Sequence, residues 1–217
     1  VLGLGLQSWS ALAGALLAVS IVWLLTKIRP DAATSTLLLA GVSLNFFFSS
    51  LILFLQYTAS FADAYRVLRW LMGGLGGVDL TSVAQMTPFV ALGMAVIFAF
   101  GRELDLLATG SELAASRGVA VAGTRTTLFV ATSVMVGGVV AACGPIGFVG
   151  MMSPHICRLL LGPGHRLLLP ASAVFGGAFL VLCDTAARTM MAPAELPVGV
   201  ITAFLGAPFF LWLLLRK

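Results

Sequence analysis

The chain has 217 residues, of which 60% are hydrophobic and only 9% charged, with a formal net charge of +4. A soluble domain carries about 25% charged residues, so most of this chain has no water to face. So small a basic excess gives no reason to expect a nucleic-acid partner.

Crossing the hydrocarbon core takes about 20 apolar residues as a helix, the form that satisfies every backbone polar group internally. The chain opens on Val1 without a charged n-region, so no cleavable signal peptide is expected. Its first six residues read as the tail of an apolar segment, as though an N-terminal part were missing. Membrane-length runs follow at about 9–26, 35–57, 83–100, 125–143, 167–188 and 197–215, with a shorter one at 146–161. They are too long for strands and lack period-two alternation.

Basic residues test the order of crossings. With the C-terminus inside, Lys27, Arg29, Arg102, Arg117, Arg125, Arg158, Arg166, Arg216 and Lys217 face the cytoplasm. Only Arg66, Arg69 and Arg188 lie outside, as the positive-inside rule requires. The short fifth run must then cross as well.

Two connections are long enough to hold structure. The outer one, 59–82, contains Tyr65 to Trp70, which reads as a short amphipathic helix, and then the glycines 73, 74, 76 and 77. Those glycines allow positive φ or close backbone approach. The inner one, 101–124, carries Glu103, Asp105, Glu112 and Arg117. Ser111 to Arg117 reads as a short helix that Gly118 ends.

Other motifs carry two readings each. Gly144-Pro-Ile-Gly-Phe-Val-Gly150 is either a tight hairpin between packed helices or part of a cavity wall. In Ser153-Pro-His-Ile-Cys-Arg158 one histidine is too few ligands for a metal, and a helix end with Arg158 snorkelling is the simpler reading. Asp184 and Arg188, four apart, neutralise each other or present Arg188 as an outer docking point. Glu195 and Pro197 suit a helix start, and Gly199, Gly206 and Pro208 mark close packing or a pathway. Ser43, Asn45, Ser49 and Ser50 bond to a neighbouring helix or line a polar path. Cys143, Cys157 and Cys183 are odd in number, lack CxxC spacing and read as small buried hydrophobes. There is no set of catalytic partners and no phosphate-binding loop, so any ATP must be bound by another chain.

Several segments together resemble the FecCD/BtuC-type permease family of ABC importers. They are Leu38 to Val42, Trp70 to Asp79, Gly110 to Val119, Gly144 to Arg158, Gly162 to Arg166 and Glu195 to Phe210, in the family's order and spacing across nearly the whole chain. The resemblance implies an all-α, polytopic membrane helical bundle with the last seven of ten helices, lacking the first three. It implies a multi-pass permease subunit of the bacterial inner membrane, not itself an enzyme, working by alternating access. The implied partners are a second permease subunit, two cytoplasmic ATPases and a periplasmic or lipid-anchored solute-binding protein, with ATP reaching the system only through the ATPases.

Roles follow residue by residue from the same resemblance. Gly110, Glu112, Ala115, Arg117, Gly118 and Val119 would form the ATPase-coupling elbow. Thr34, Ser35 and Thr36 would sit at the cytoplasmic gate. Ser43, Asn45, Phe46, Ser49 and Ser50 would line the translocation path, with the outer short helix beside them, and Arg188 would receive an acidic residue of the binding protein. The implied cargo is an iron chelate, siderophore or haem, ahead of cobalamin, although Met72 to Asp79 looks especially like the vitamin B12 permease. Two other classes stand beside this reading. A membrane-embedded enzyme lacks a partner for His155, and a channel gives the Glu112/Arg117 segment no purpose.

Overall fold

The computed structural model describes the backbone of residues 2–28, 34–191 and 195–215. Within these every regular element is an α-helix. Arg29, Arg216 and Lys217 of the inner basic set, and Ala194, lie outside the described residues.

The helices fall into two compact units, Val1–Leu71 and Met72–Lys217. In the first unit, α1 (Leu2–Ile28) packs on α2 (Thr34–Thr58), and α2 on the short α3 (Phe61–Leu71). α2 has apolar residues all round, and its hydroxyls turn back on their own helix: Ser43 Oγ donates to the Leu39 carbonyl and Ser50 Oγ to that of Phe46, both at 2.9 Å. Such back-bonding hides a hydroxyl from lipid without any partner helix. α3 is amphipathic. Ser60 caps it, its Oγ accepting from the Asp63 N–H at 3.3 Å and donating to the Asp63 carboxylate at 2.7 Å. Asp63 in the first turn and Arg69 in the last complement the helix dipole.

The second unit holds α4 (Leu80–Ala99), α5 (Gly101–Ala108), α6 (Ser111–Ser116), α7 (Val121–Cys143), α8 (Val149–Leu161), α9 (His165–Thr189) and α10 (Val198–Leu215). Among the described residues five helical stretches are long and apolar enough to cross a membrane: Leu39–Thr58, Leu80–Ala99, Val121–Cys143, His165–Thr189 and Val198–Leu215. Shorter apolar stretches, Ala13–Leu25 and Val149–Leu161, fall within the first and fifth expected runs. At about 1.5 Å per residue, the 13 residues of α8 fall well short of a hydrocarbon core of about 30 Å.

Small residues set the packing, as they must where lipid competes equally for apolar surface. α4 lies along α7. A Cβ on Gly93 would stand 2.7 Å from Met135 Cβ, and one on Gly138 would stand 3.0 Å from Phe89 Cβ. α8 lies along α9, where Gly176 makes room for Ser153. Leu168, Cys183, Ala187, Val198 and Thr202 are buried where α9 and α10 meet their neighbours. All three cysteines are buried and unpaired. Large apolar side chains such as Leu92, Phe204 and Leu211 remain exposed, which suits a surface bathed in lipid.

Several helix ends differ from the hydropathy reading. α4 starts at Leu80 instead of 83 because Asp79 caps it, accepting from the Ser82 N–H at 2.8 Å and the Ser82 hydroxyl at 2.7 Å. Those two bonds, the hydroxyl's first, hold the Asp79 carboxyl below the usual range. α7 starts at Val121 instead of 125, since a helix continues past the apolar run into the polar interface. α9 begins at His165 and α8 only at Val149. The backbone before α8 is held out of helix by Gly144 at φ +69° and by Phe148, the one non-glycine at positive φ among the described residues (+65°).

Candidate functional site

The elbow at 110–118 is built from two glycines that bracket the six helical residues of α6 and Arg117. Gly110, at φ +120°, starts α6, and Gly118, at φ +87°, ends its closing turn. A side chain would be strained at either position. Between them Ala114 is fully buried, and its carbonyl accepts from the Arg117 and Val119 N–H groups at 3.2 and 3.0 Å. Ser116 Oγ donates to the Leu113 carbonyl at 2.9 Å. The turn is thus closed on itself and anchored by one alanine. Glu112, Leu113, Ala115, Ser116, Arg117 and Gly118 point outward, while Val119 is half-buried. Glu112 and Arg117 form no ion pair with each other or with any described residue. A rigid, exposed knob with an apolar Leu113 between opposite charges is suited to fit into another protein's groove.

α5 ties this elbow to α9. Asp105 Oδ1 accepts from the His165 backbone N–H at 2.8 Å and from His165 Nδ1 at 2.7 Å. A carboxylate only accepts, so Nδ1 carries the hydrogen. These bonds, the backbone one first, hold the Asp105 carboxyl below its usual range. They bring segment 101–108 to the start of α9, so Arg102 and Arg166 share one end of this unit. Sequence reasoning named Asp105 but not its pairing with His165, because the two are 60 residues apart.

The opposite connections converge on glycine. Gly73, at φ +68°, would place a Cβ 2.3 Å from the Pro145 carbonyl oxygen. A Cβ on Gly199 would stand 2.1 Å from the Met72 carbonyl oxygen. The Gly199 N–H donates to the Gly73 carbonyl at 3.2 Å, and the Gly74 N–H to that of Cys143 at 2.9 Å. The segment at 72–74 is therefore wedged between the α7–α8 connection and the first turn of α10. Close by, Phe148 presses its ring on Gly206, where a Cβ would lie 2.2 Å from Phe148 Cγ, and sits 6.2 Å from the Phe210 ring.

Thr34, Ser35 and Thr36 form the first turn of α2, and their side chains lie outside the described residues. Ser43, Asn45, Phe46, Ser49 and Ser50 are all exposed. At about 100° per residue they share one side of α2, within roughly 160° of arc. The Ser43 and Ser50 hydroxyls bond their own helix, not a neighbouring one. Arg188 Nε donates to Asp184 Oδ2 at 2.7 Å, with the guanidinium side chain 45% exposed, so the pair is formed and still accessible. His155 lies edge-on to Phe209 and Phe210, its Nε2 buried without a hydrogen-bond partner.

Comparison with known proteins adds a consistent set of likenesses. A model of the FecCD transport family matches residues 1–216. The chain is 42% identical over 214 residues to the Cobalamin import system permease protein BtuC of Halobacterium salinarum, covering 99% of this chain and 57% of that protein. It is also 42% identical over 222 residues to the Vitamin B12 import system permease protein BtuC of Salmonella arizonae, covering 100% of this chain and 67% of that one. The chain thus spans less than two-thirds of the length of the first of these relatives. A solved structure described as an inward-facing metal-chelate type ABC transporter superposes with a TM-score of 0.84. It is 27% identical to this chain, covering 99% of it and 75% of that structure's chain.

Proposed function

The chain belongs to the FecCD transport family, and from that membership we propose that it is the membrane-spanning permease part of an ATP-binding-cassette importer. The protein does no covalent chemistry on its cargo. It moves the cargo by alternating access, with ATP hydrolysed by cytoplasmic ATPase subunits, a second permease subunit completing the pathway and an external solute-binding protein delivering the load. The observation that carries this reading is the glycine-bracketed elbow at 110–119, rigid, exposed and tied through Asp105 to a membrane helix. A partner that docks on Glu112, Leu113, Ala115 and Arg117 has a direct mechanical route into α9. Thr34 to Thr36 serve as the cytoplasmic gate, the exposed side of α2 lines the path, and Arg188 faces the binding protein. The residence is a bacterial inner membrane.

For cargo, the names of the 42% identical relatives favour cobalamin. An iron chelate, placed first from sequence, keeps support from the metal-chelate transporter of like fold. Both are bulky chelates, which suit a roomy and weakly polar path. The test is reconstitution of the assembled transporter in vesicles. Deleting Ser116 and Arg117 leaves ATP hydrolysis running but stops uptake of cyanocobalamin or ferric chelate; coupling equal to that of the intact chain would sink the importer reading. Uptake of one cargo and not the other decides between them.

A further inference from the structure

A cleft of about 370 Å³ opens between α5 and the first turn of α9, lined chiefly by Phe98, Arg102, Asp105, His165, Arg166 and Leu169. Its charges are unevenly used. Asp105 and His165 are spent on each other. Arg102 and Arg166 are exposed and have no carboxylate within ion-pair reach among the described residues. Two arginines against one already occupied carboxylate leave a positive cleft.

Its depth is also defined. The apolar span of α4 ends at Ala99, and that of α9 begins at His165. The cleft therefore lies where two hydrocarbon-spanning segments reach the headgroup layer. Phe98 and Leu169 form its apolar side, and Phe98 is 42% exposed. Guanidinium forks match phosphate oxygens, and basic pockets between helices on an anionic leaflet recognise lipid headgroups.

We propose that this cleft is a binding site for the phosphate of an anionic membrane phospholipid, held by Arg102 and Arg166 with its acyl chains against Phe98 and Leu169. The bound lipid would brace the junction of elbow and α9, whatever cargo the protein carries. A soluble phosphate shares the headgroup chemistry but would have no use for the apolar side.

The test uses the purified protein in neutral detergent, followed by native mass spectrometry and thermal melting. The probes are dioleoylphosphatidylglycerol, dioleoylphosphatidylcholine and inorganic phosphate. Phosphatidylglycerol should bind and raise the melting temperature, and phosphatidylcholine should do neither. Arg102→Gln with Arg166→Gln should weaken phosphatidylglycerol binding about thirtyfold, as two basic groups facing an anionic headgroup imply. Arg66→Gln with Arg69→Gln, on α3, should leave it unchanged. If the glutamine pair fails to fold, the single variants Arg102→Gln and Arg166→Gln decide: weaker phosphatidylglycerol binding in a folded single variant supports the site, and unchanged binding in both overturns it. Equal binding of both lipids, or displacement of phosphatidylglycerol by millimolar phosphate, would also overturn it. So would a glutamine pair that keeps the lipid but loses the ATPase subunit, because the cleft would then be a protein contact.

Discussion

Asp105 takes two hydrogen bonds from His165, one from its backbone and one from its ring, across 60 residues of sequence. The backbone bond satisfies one of the N–H groups that the start of α9 leaves without an intrahelical partner. A carboxylate there also meets the positive end of the helix dipole.

Replacing Asp105 by Ala should destabilise the protein by about 1 kcal/mol, the usual effect of losing a helix cap. His165→Ala should cost less, because its backbone N–H still reaches Asp105. The pH dependence has a definite sign. The folded carboxyl titrates below its unfolded value of about 3.9, so its stabilisation is complete above that pH and fades as the pH falls through the folded value. Thermal melts of the intact chain and of Asp105→Asn should differ most above about pH 5 and converge in stronger acid. An unchanged gap down to the acid end would remove the ion from this account. In transport assays Asp105→Ala should hydrolyse ATP with reduced uptake, since the elbow has lost its tie to α9.

Phe148 and Gly206 make a second pair that can be tested against each other. A methyl on Gly206 would lie 2.2 Å from Phe148 Cγ and 2.4 Å from its Cβ, and Phe148 already holds a left-handed backbone at φ +65°. Gly206→Ala should therefore destabilise by about 1–3 kcal/mol through overpacking. Phe148→Gly relieves the backbone but gives up the ring contact with Phe210. Once that ring is gone the added methyl has room, so the double variant should melt close to Phe148→Gly alone. Strictly additive losses would mean that the two residues do not meet.

What the sequence made legible, and what it did not, follows from the range of each interaction. Apolar runs are local signals, and the helices α2, α4, α7, α9 and α10 overlap the runs read from them. Helix ends were less legible because hydropathy stops at the first charge. α7 runs back from Arg125 to Val121, where a helix leaves lipid but keeps its own hydrogen bonds. The start of α4 could have been read, since Asp79 followed by Thr81 and Ser82 is a capping pattern. The glycines at 73 and 199 announced close approach but not what approached. Gly73 meets Pro145 and Gly199 meets Met72, and no local pattern joins such distant segments. The Asp105–His165 tie was hidden for the same reason.

Arg188 lies at the end of α9 far from His165. Arg188 gives its Nε to Asp184 at 2.7 Å, yet its side chain is 45% exposed, so the outer nitrogens of the guanidinium remain free to meet an acidic partner. The pair has little charge to offer at long range, because Asp184 offsets Arg188, and it acts mainly on contact. Arg188→Glu sets two carboxylates side by side and should weaken docking of the solute-binding protein about tenfold at low ionic strength. The deficit should shrink as salt shortens the screening length to about 8 Å at physiological strength. Asp184→Asn should act in the other direction, strengthening docking at low salt by releasing the guanidinium's charge. Titrating the binding protein against both variants at two salt concentrations checks the pair together. If Arg188→Glu bound as tightly as the intact chain at low salt, Arg188 would have no part in that contact, and its bond to Asp184 would serve only to neutralise a charge near lipid.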